Sequence, residues 1–259
     1  MEQIHSFLVE PGVTSIGNYA CFALTHLEEV FLPDSVFHIG ENAFGFCPVL
    51  QSIYIPDKLE SIGEWCFKGC QSLTDCVLPE YLTTIGLNAF SFCESLSSVF
   101  IPKSVTLIDA GAFSACYSLD AFHIDSENPT YTAIDGIIFS KDGLTLLEWP
   151  AGRGGSYTVH DGVTAIGDSA FLNTDGLTSV TLPASLTGVG SSVFCIVQIC
   201  RRFMFLPLSI KIALSTPVAA PLPLLCINSS KSFSDCLYKA GLSFFIIKYS
   251  FQSNFVSYL

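Results

Sequence analysis

The feature that most constrains this sequence is a unit of 23 residues that recurs along it. Its most regular marker is an Ile-Gly pair or a close substitute: Ile16-Gly17, Ile39-Gly40, Ile62-Gly63, Ile85-Gly86, Ile108-Asp109, Ile166-Gly167 and Val189-Gly190. Every step is 23 residues except the step from Ile108 to Ile166, which contains an insertion longer than one unit. A fixed period of this length is typical of stacked repeats, whose small units cannot bury an apolar face alone.

Other positions of the unit keep the same step. Phenylalanine recurs five residues after the isoleucine, at Phe44, Phe67, Phe90, Phe113, Phe171 and Phe194. Each unit also holds an alternating segment such as Ile53-Tyr54-Ile55, which is typical of a short half-buried strand and which Pro56 ends. We therefore predict a right-handed solenoid of about eight coils over residues 9–194, with a parallel β-sheet face and a coil spacing of about 4.8 Å.

The insertion carries a hairpin signal. Two apolar runs flank Asp135-Gly136, a pair that two-residue β-hairpin turns prefer. We predict a β-hairpin insertion within residues 125–163 that projects from or pads one coil. The predicted organisation is thus a solenoid over residues 1–194 and an irregular C-terminal tail over residues 195–259.

The repeat resembles a known family. The run from Leu50 to Cys70, with its Ile-Pro, Ser-Ile-Gly and Cys-Phe-x-x-Cys steps, is similar to the BspA-type leucine-rich repeat, and the insertion is similar to the Asp-Gly hairpin found between such repeats. The resemblance implies a leucine-rich-repeat-like solenoid. It also implies a bacterial or protist protein, at the cell surface or secreted, that binds host or matrix proteins in adhesion and virulence. No signal peptide is visible at the N-terminus.

Charge and motifs argue against several functions. The net charge of −12 disfavours a nucleic-acid partner, because phosphate binding needs clustered Lys and Arg. The five histidines lie in no nucleophile motif, and no Gly-x-Ser-x-Gly sequence occurs. We therefore expect a non-enzymatic protein-binding module with no cofactor and no metal. The alternatives are a structural spacer that displays another domain, or a fragment without independent function.

Four of the 11 cysteines occupy one position of the unit: Cys47, Cys70, Cys93 and Cys116. Sequential coils would place their Cα atoms about 5 Å apart, which is within disulfide range. Equivalent inward thiols also pack well as small buried hydrophobes. We favour a reduced packing column, with disulfides or a metal site as the alternatives.

One outward position invites a functional interpretation. The residues predicted to face outward from the strands are Phe31, Tyr54, Val77, Phe100 and His123, with Thr181 after the insertion. Aromatic residues on a rigid face are good contact residues, although they are also good strand formers. The flanking position, at Glu29, Ser52, Asp75 and Ser98, is polar and partly acidic. We predict that this face contacts a protein ligand of basic or mixed character.

The C-terminal tail departs from the repeat. Residues 1–194 contain five basic and 22 acidic residues, whereas residues 195–259 contain six basic residues and one acidic residue. The period fades there, although Ile212 still falls on the Ile-Gly position. Three interpretations are open: non-native, out-of-frame sequence, which we favour; a degraded coil with an atypical cap; and a membrane-associating segment, which four prolines and Lys211 oppose. The chain enters in mid-repeat, which suggests a fragment of a longer surface protein.

Overall fold

The computed structural model describes residues 4–194 and, for the backbone only, residues 211–214. Short strands joined by turns form the described residues, and no helix occurs among them. The strands are β1 (Ser6–Leu8), β2 (Ser15–Ile16), β3 (Glu29–Phe31), β4 (His38–Ile39), β5 (Ser52–Ile53), β6 (Ser61–Ile62), β7 (Thr84–Ile85), β8 (Val99–Ile101), β9 (Leu107–Ile108), β10 (Phe122–Ile124), β11 (Tyr131–Ile134), β12 (Ile137–Ser140), β13 (Thr145–Glu148), β14 (Gly155–Thr158), β15 (Ala165–Ile166), β16 (Leu177–Leu182), β17 (Gly188–Val189) and β18 (Lys211–Leu214).

Outside the insertion, the strands stack in parallel, and most of them pair with the strand one unit further along the chain. Ser6 lies beside Glu29 in one sheet, and Ile39 lies beside Ile62 in another. Before the insertion, one face of the solenoid consists of β1-β3-β5 and β8-β10, and a second face consists of β2-β4-β6-β7-β9. The predicted parallel-strand solenoid of repeated units is therefore confirmed.

The core is a column of phenylalanine rings. Phe44, Phe67, Phe90 and Phe113 are buried, and neighbouring ring centroids lie 5.2–5.5 Å apart in stacked orientation. Each ring thus fills space that one coil could not enclose alone, which is why the units are stable only as a stack.

The glycine of the Ile-Gly pair is required because a side chain there would clash with the neighbouring coil. A Cβ on Gly63 would lie 2.5 Å from the carbonyl carbon of Gly40, and a Cβ on Gly86 would lie 2.7 Å from the amide nitrogen of Glu64. Neither residue has a positive φ angle. Close approach of the neighbouring coil therefore requires glycine here.

The turns that follow the Ile-Gly pair contain residues in the left-handed backbone conformation, and most of these residues are not glycine. Ala23, Phe46 and Phe92 have φ angles of 59°, 58° and 61°, and they occupy the same position in three coils. A side chain in this region strains the backbone. Tight stacking of the coils holds it there.

The insertion contains the predicted hairpin. β11 and β12 pair in antiparallel fashion around Asp135 and Gly136, whose φ angles are 52° and 75°, as a two-residue turn of this type requires. β12 then pairs antiparallel with β13, and β13 pairs parallel with β15, so the hairpin is continuous with the second face of the next coil. Although β14 lies within residues 125–163, it pairs in parallel with β16 as an ordinary coil strand.

The core divides at the insertion. One buried cluster extends from Ile16 to Tyr131 and Ile138, and a second contains Trp149, Phe171 and Val193. Among the described strands, no sheet crosses from residues 4–124 to residues 131–194. We call this boundary the seam.

The three interpretations of the tail concern residues that lie outside the described ones, apart from the backbone of β18. That strand pairs with β16 and places Ile212 beside Val180. The expectation that Ile212 continues the Ile-Gly position is therefore wrong, because Val180 belongs to the other face. No helix among residues 4–194 is long and apolar enough to cross a membrane.

Candidate functional site

The predicted outward residues lie in one line on the first face. Pairing sets Leu8 beside Phe31 and Phe100 beside His123, because parallel strands in register align equivalent side chains. Phe31, Tyr54, Val77, Phe100 and His123 are all exposed. Their exposure confirms the predicted orientation, and a role in ligand binding stays a prediction. We call these five residues together with Leu8 the exposed stripe.

Two exposed residues that occupy the same position of the unit were not predicted from the sequence. Leu8 is exposed and precedes Phe31 by one unit, and Thr158 is exposed and lies beside Thr181, which is half-buried. The signal was the same step that defines the repeat. Thr158 was overlooked because its coil was assigned to the insertion.

The rings of the exposed stripe differ from those of the core. Phe31, Tyr54 and Phe100 are each about half exposed, and no ring contact joins neighbours in this stripe among the described residues. The Tyr54 hydroxyl donates a 3.1 Å hydrogen bond to Asp34, whose carboxylate raises the pKa of Tyr54. The stripe therefore presents separate aromatic surfaces to solvent, each able to contact a partner.

Carboxylates border the exposed stripe on both sides. Glu29 and Asp75 are exposed at the position before it, with the exposed hydroxyls of Ser52 and Ser98 between and beyond them. The position after it carries exposed Asp34, Asp57 and Glu80. Lys103 continues that second border but forms an ion pair with Glu127 at 3.1 Å. The face is thus apolar along its middle and negatively charged at its edges.

A second candidate site is a cleft of about 240 Å³ at the seam. Its lining includes Asp109, Tyr131, Glu148 and Asp168. Glu148 is only 4% exposed, and its carboxyl accepts hydrogen bonds from the amides of Gly111 and Phe113. Burial raises the pKa of Glu148 to about 8, so that the protonated acid predominates at neutral pH.

The position of Glu148 explains its hydrogen bonds. In the regular stack, the amide of Phe90 donates to the carbonyl of Ala112 in the next coil, at 2.8 Å. Phe113 has no such coil after it, because the insertion intervenes. Glu148 immediately precedes Trp149 as Ala112 precedes Phe113, and its side chain supplies the missing acceptor. A perturbed carboxyl can mark a reactive site, but these contacts account for this one structurally.

The cysteine position is a hydrogen-bonded part of the core. The seven cysteines of the described residues are buried free thiols. The Cys70 thiol donates to the carbonyl of Phe44, and the Cys93 thiol donates to that of Phe67, both at 3.2 Å. Burial raises the pKa of the Cys47 thiol to about 11, which disfavours the nucleophilic thiolate. Within residues 4–194 no group of three or more metal-ligating side chains comes together.

The coil geometry has counterparts among solved structures. The fold is similar to that of a leucine-rich repeat protein from Eubacterium ventriosum, with 26% identity and a TM-score of 0.65 over 73% of this chain and 57% of that one. It is similar to the pneumococcal vaccine antigen PcpA, with 23% identity and a TM-score of 0.66 over 73% and 48%. A leucine-rich repeat protein of T. pallidum is 27% identical, with a TM-score of 0.50 over 74% and 76%.

The comparisons also show how much of each similar protein this chain covers. The chain spans 57% and 48% of the lengths of the first two proteins. No protein with a curated description matches the sequence. The profile of the BspA type leucine-rich repeat region matches six copies over residues 2–145 and 155–211, which is most of the sequence. The repeat unit, its solenoid and this match agree, and the chain belongs to the BspA-type leucine-rich repeat family.

Proposed function

We propose that the chain is a non-enzymatic binding module that takes a basic segment of a partner protein on its exposed stripe. The observation that carries this proposal is a row of separate aromatic and apolar side chains between two borders of carboxylates. Apolar contact supplies affinity at such a face, and the carboxylates favour Lys or Arg on the partner. The stacked core holds the side chains in fixed positions, so little conformational entropy is lost on binding.

The family supports a location at the cell surface or outside the cell, and a host or matrix protein as the partner. The acidic composition supports a protein partner rather than a nucleic acid, because residues 1–194 carry 22 acidic and five basic residues. The catalytic alternative lacks support, since the perturbed carboxyl of Glu148 has a structural role.

The proposal is tested by selecting a displayed random-peptide library on the immobilised full-length chain. We expect enrichment of peptides that combine Arg or Lys with apolar residues. The variant Tyr54→Ser/Phe100→Ser should lose this enrichment, because two of the aromatic contacts are removed.

A matched control is Phe37→Ser/Tyr81→Ser, which removes two exposed aromatic residues outside the exposed stripe. It should enrich the same peptides as the wild type. Equal enrichment by the wild type and the Tyr54→Ser/Phe100→Ser variant, with both proteins folded by circular dichroism, would overturn the proposal.

A further inference from the structure

The sheet that carries the exposed stripe is interrupted near its middle. β5 continues only through a single bridge between Ser52 and Asp75. Among the described residues, no strand pairing joins the coil of Asp75 to β8, so β1-β3-β5 and β8-β10 are separate sheets. A recess can therefore form between two neighbouring coils at this place and not at a continuous ladder.

A depression of about 140 Å³ lies at this interruption. We call it the notch. Asp75, Cys76, Val77 and Leu78 line it from one coil, and Ser98 and Phe100 line it from the next. Its volume is well below the about 300–1,000 Å³ of small-molecule sites, so it suits a single side chain of a larger partner.

Val77, which lines the notch, is the smallest side chain of the exposed stripe. It occupies the position that holds Tyr54 one unit earlier and Phe100 one unit later, but it is smaller than either. Val77 is 82% exposed, and the ring of Phe100 is about half exposed. One flank of the notch is thus the exposed surface of the Phe100 ring, beside a smaller side chain.

Two polar side chains of the notch can accept hydrogen bonds. The exposed carboxylate of Asp75 lies at one side and, within residues 4–194, accepts one long side-chain hydrogen bond of 3.4 Å, from Thr74. The exposed hydroxyl of Ser98 lies on the other coil. A guanidinium group matches this set, because it is planar, stacks on aromatic rings and pairs with a carboxylate through two parallel hydrogen bonds.

We propose that the notch binds one arginine side chain of the partner segment, an inference that rests on the proposed function. Charge complementarity supports this occupant, since carboxylates border the exposed stripe on both sides of the notch. Arginine fits better than lysine, whose compact ammonium can pair with Asp75 but cannot stack flat on Phe100. The notch thereby sets both the chemistry and the position of the strongest contact.

The test uses two short fluorescein-labelled peptides of equal length that contain Ala, Leu and evenly spaced basic residues, all Arg in one peptide and all Lys in the other. Fluorescence anisotropy with the full-length chain measures both affinities at low and high salt. We expect the Arg peptide to bind about tenfold more tightly than the Lys peptide. Both affinities should fall at high salt, because exposed charges are screened.

Variants locate the preference. Val77→Phe fills the notch and Asp75→Asn removes its charge, and each should reduce the Arg-over-Lys ratio to near one. Tyr54→Ser should weaken both peptides by a similar factor and leave the ratio unchanged. Glu64→Gln, which removes an exposed carboxylate in the turn after β6 of the second face, is the matched control and should change nothing.

Each failure has a distinct meaning. An unchanged ratio in Val77→Phe and Asp75→Asn, together with weaker binding by Tyr54→Ser, would overturn the notch and leave the proposed function standing. No binding by the wild type, or full binding by Tyr54→Ser, would overturn both. Self-association of the wild type that Val77→Phe abolishes, measured by sedimentation velocity, would assign the notch to a second copy and overturn the arginine proposal.

Discussion

The regular stack and the seam join neighbouring coils in different ways. Within the stack, backbone amides meet backbone carbonyls, as between Phe67 and Ala89 at 2.7 Å. At the seam, the amide of Ile108 donates to the Tyr131 hydroxyl at 2.9 Å, and the amide of Phe113 donates to Glu148. Two backbone hydrogen bonds also cross the seam: the amide of Phe122 donates to the carbonyl of Gly136 at 2.8 Å, and the amide of Gly152 donates to that of Leu119 at 2.9 Å. Side chains therefore replace part of the missing coil at the seam. A stack joined by backbone hydrogen bonds tolerates sequence change, whereas the seam depends more on the identity of a few side chains.

The largest effect is expected in the stack itself. Phe67→Ala removes a buried ring between Phe44 and Phe90 and should cost about 3–5 kcal/mol. Because each coil contacts mainly its neighbours, loss of hydrogen-exchange protection should concentrate in the adjacent coils. A uniform loss of protection along the chain would contradict the stacked-unit picture.

Glu148→Ala should have the next largest effect, and it should act at the seam. The change leaves the amides of Gly111 and Phe113 buried without their acceptor, at a cost of about 2–4 kcal/mol. Denaturant unfolding followed by hydrogen exchange should show residues 131–194 opening before the core around Phe67. Glu148→Gln, which keeps an acceptor oxygen, is the control and should retain most of the stability. Unfolding of Glu148→Ala in one step at the wild-type midpoint would contradict this structural role of Glu148.

The pH dependence should distinguish the seam from the stack. The pKa of Glu148 is about 8 when folded and near the ordinary value of 4.5 when unfolded. The contribution of Glu148 to the free energy of unfolding is therefore fully present below pH 4.5 and is lost as the pH rises towards 8. Wild type should lose at least about 1.4 kcal/mol, the equivalent of one pKa unit, relative to Glu148→Gln across this range. Parallel stability profiles for the two proteins, from urea unfolding at each pH, would refute the assignment.

The smallest effect is expected in the turns of the stack. Ala23 is exposed with a φ angle of 59°, so Ala23→Gly should relieve strain and stabilise by up to about 1 kcal/mol. Ala20 is also exposed but is not among the residues with positive φ. Ala20→Gly should therefore destabilise by about 0.5–1 kcal/mol. Thermal unfolding of the two variants checks the sign, and equal shifts would mean that the left-handed turns carry no strain.

The parts of the fold that repeat were predictable from the sequence. Phe44, Phe67 and Phe90 stack because equivalent residues of a periodic chain meet in equivalent places, and the same logic placed Tyr54 and Phe100 on the exposed face. The hairpin turn at Asp135 was predictable for a local reason, since its backbone angles suit the Asp-Gly pair. Both periodicity and turn chemistry can be recognised in a single sequence.

The parts that occur once were not predictable. Glu148 is one acidic residue at a position where other units hold Ala, Cys or Val, and the two amides that donate to it come much earlier in the chain. The notch depends on where a strand ladder stops, and the substitution of Val77 for an aromatic residue does not by itself reveal that interruption. Ile212 could not be placed because the period alone does not say which face a strand joins when the other positions have faded.

The exposed stripe has a consequence for how a long partner would be aligned. Equivalent sites one coil apart, about 4.8 Å in a parallel sheet, let an extended ligand shift along the axis and meet nearly the same surroundings at each step. Such translational degeneracy favours loose, sliding attachment. The single Val among the aromatic side chains breaks this degeneracy and supplies one reference point. A partner that recognises it is bound in one register.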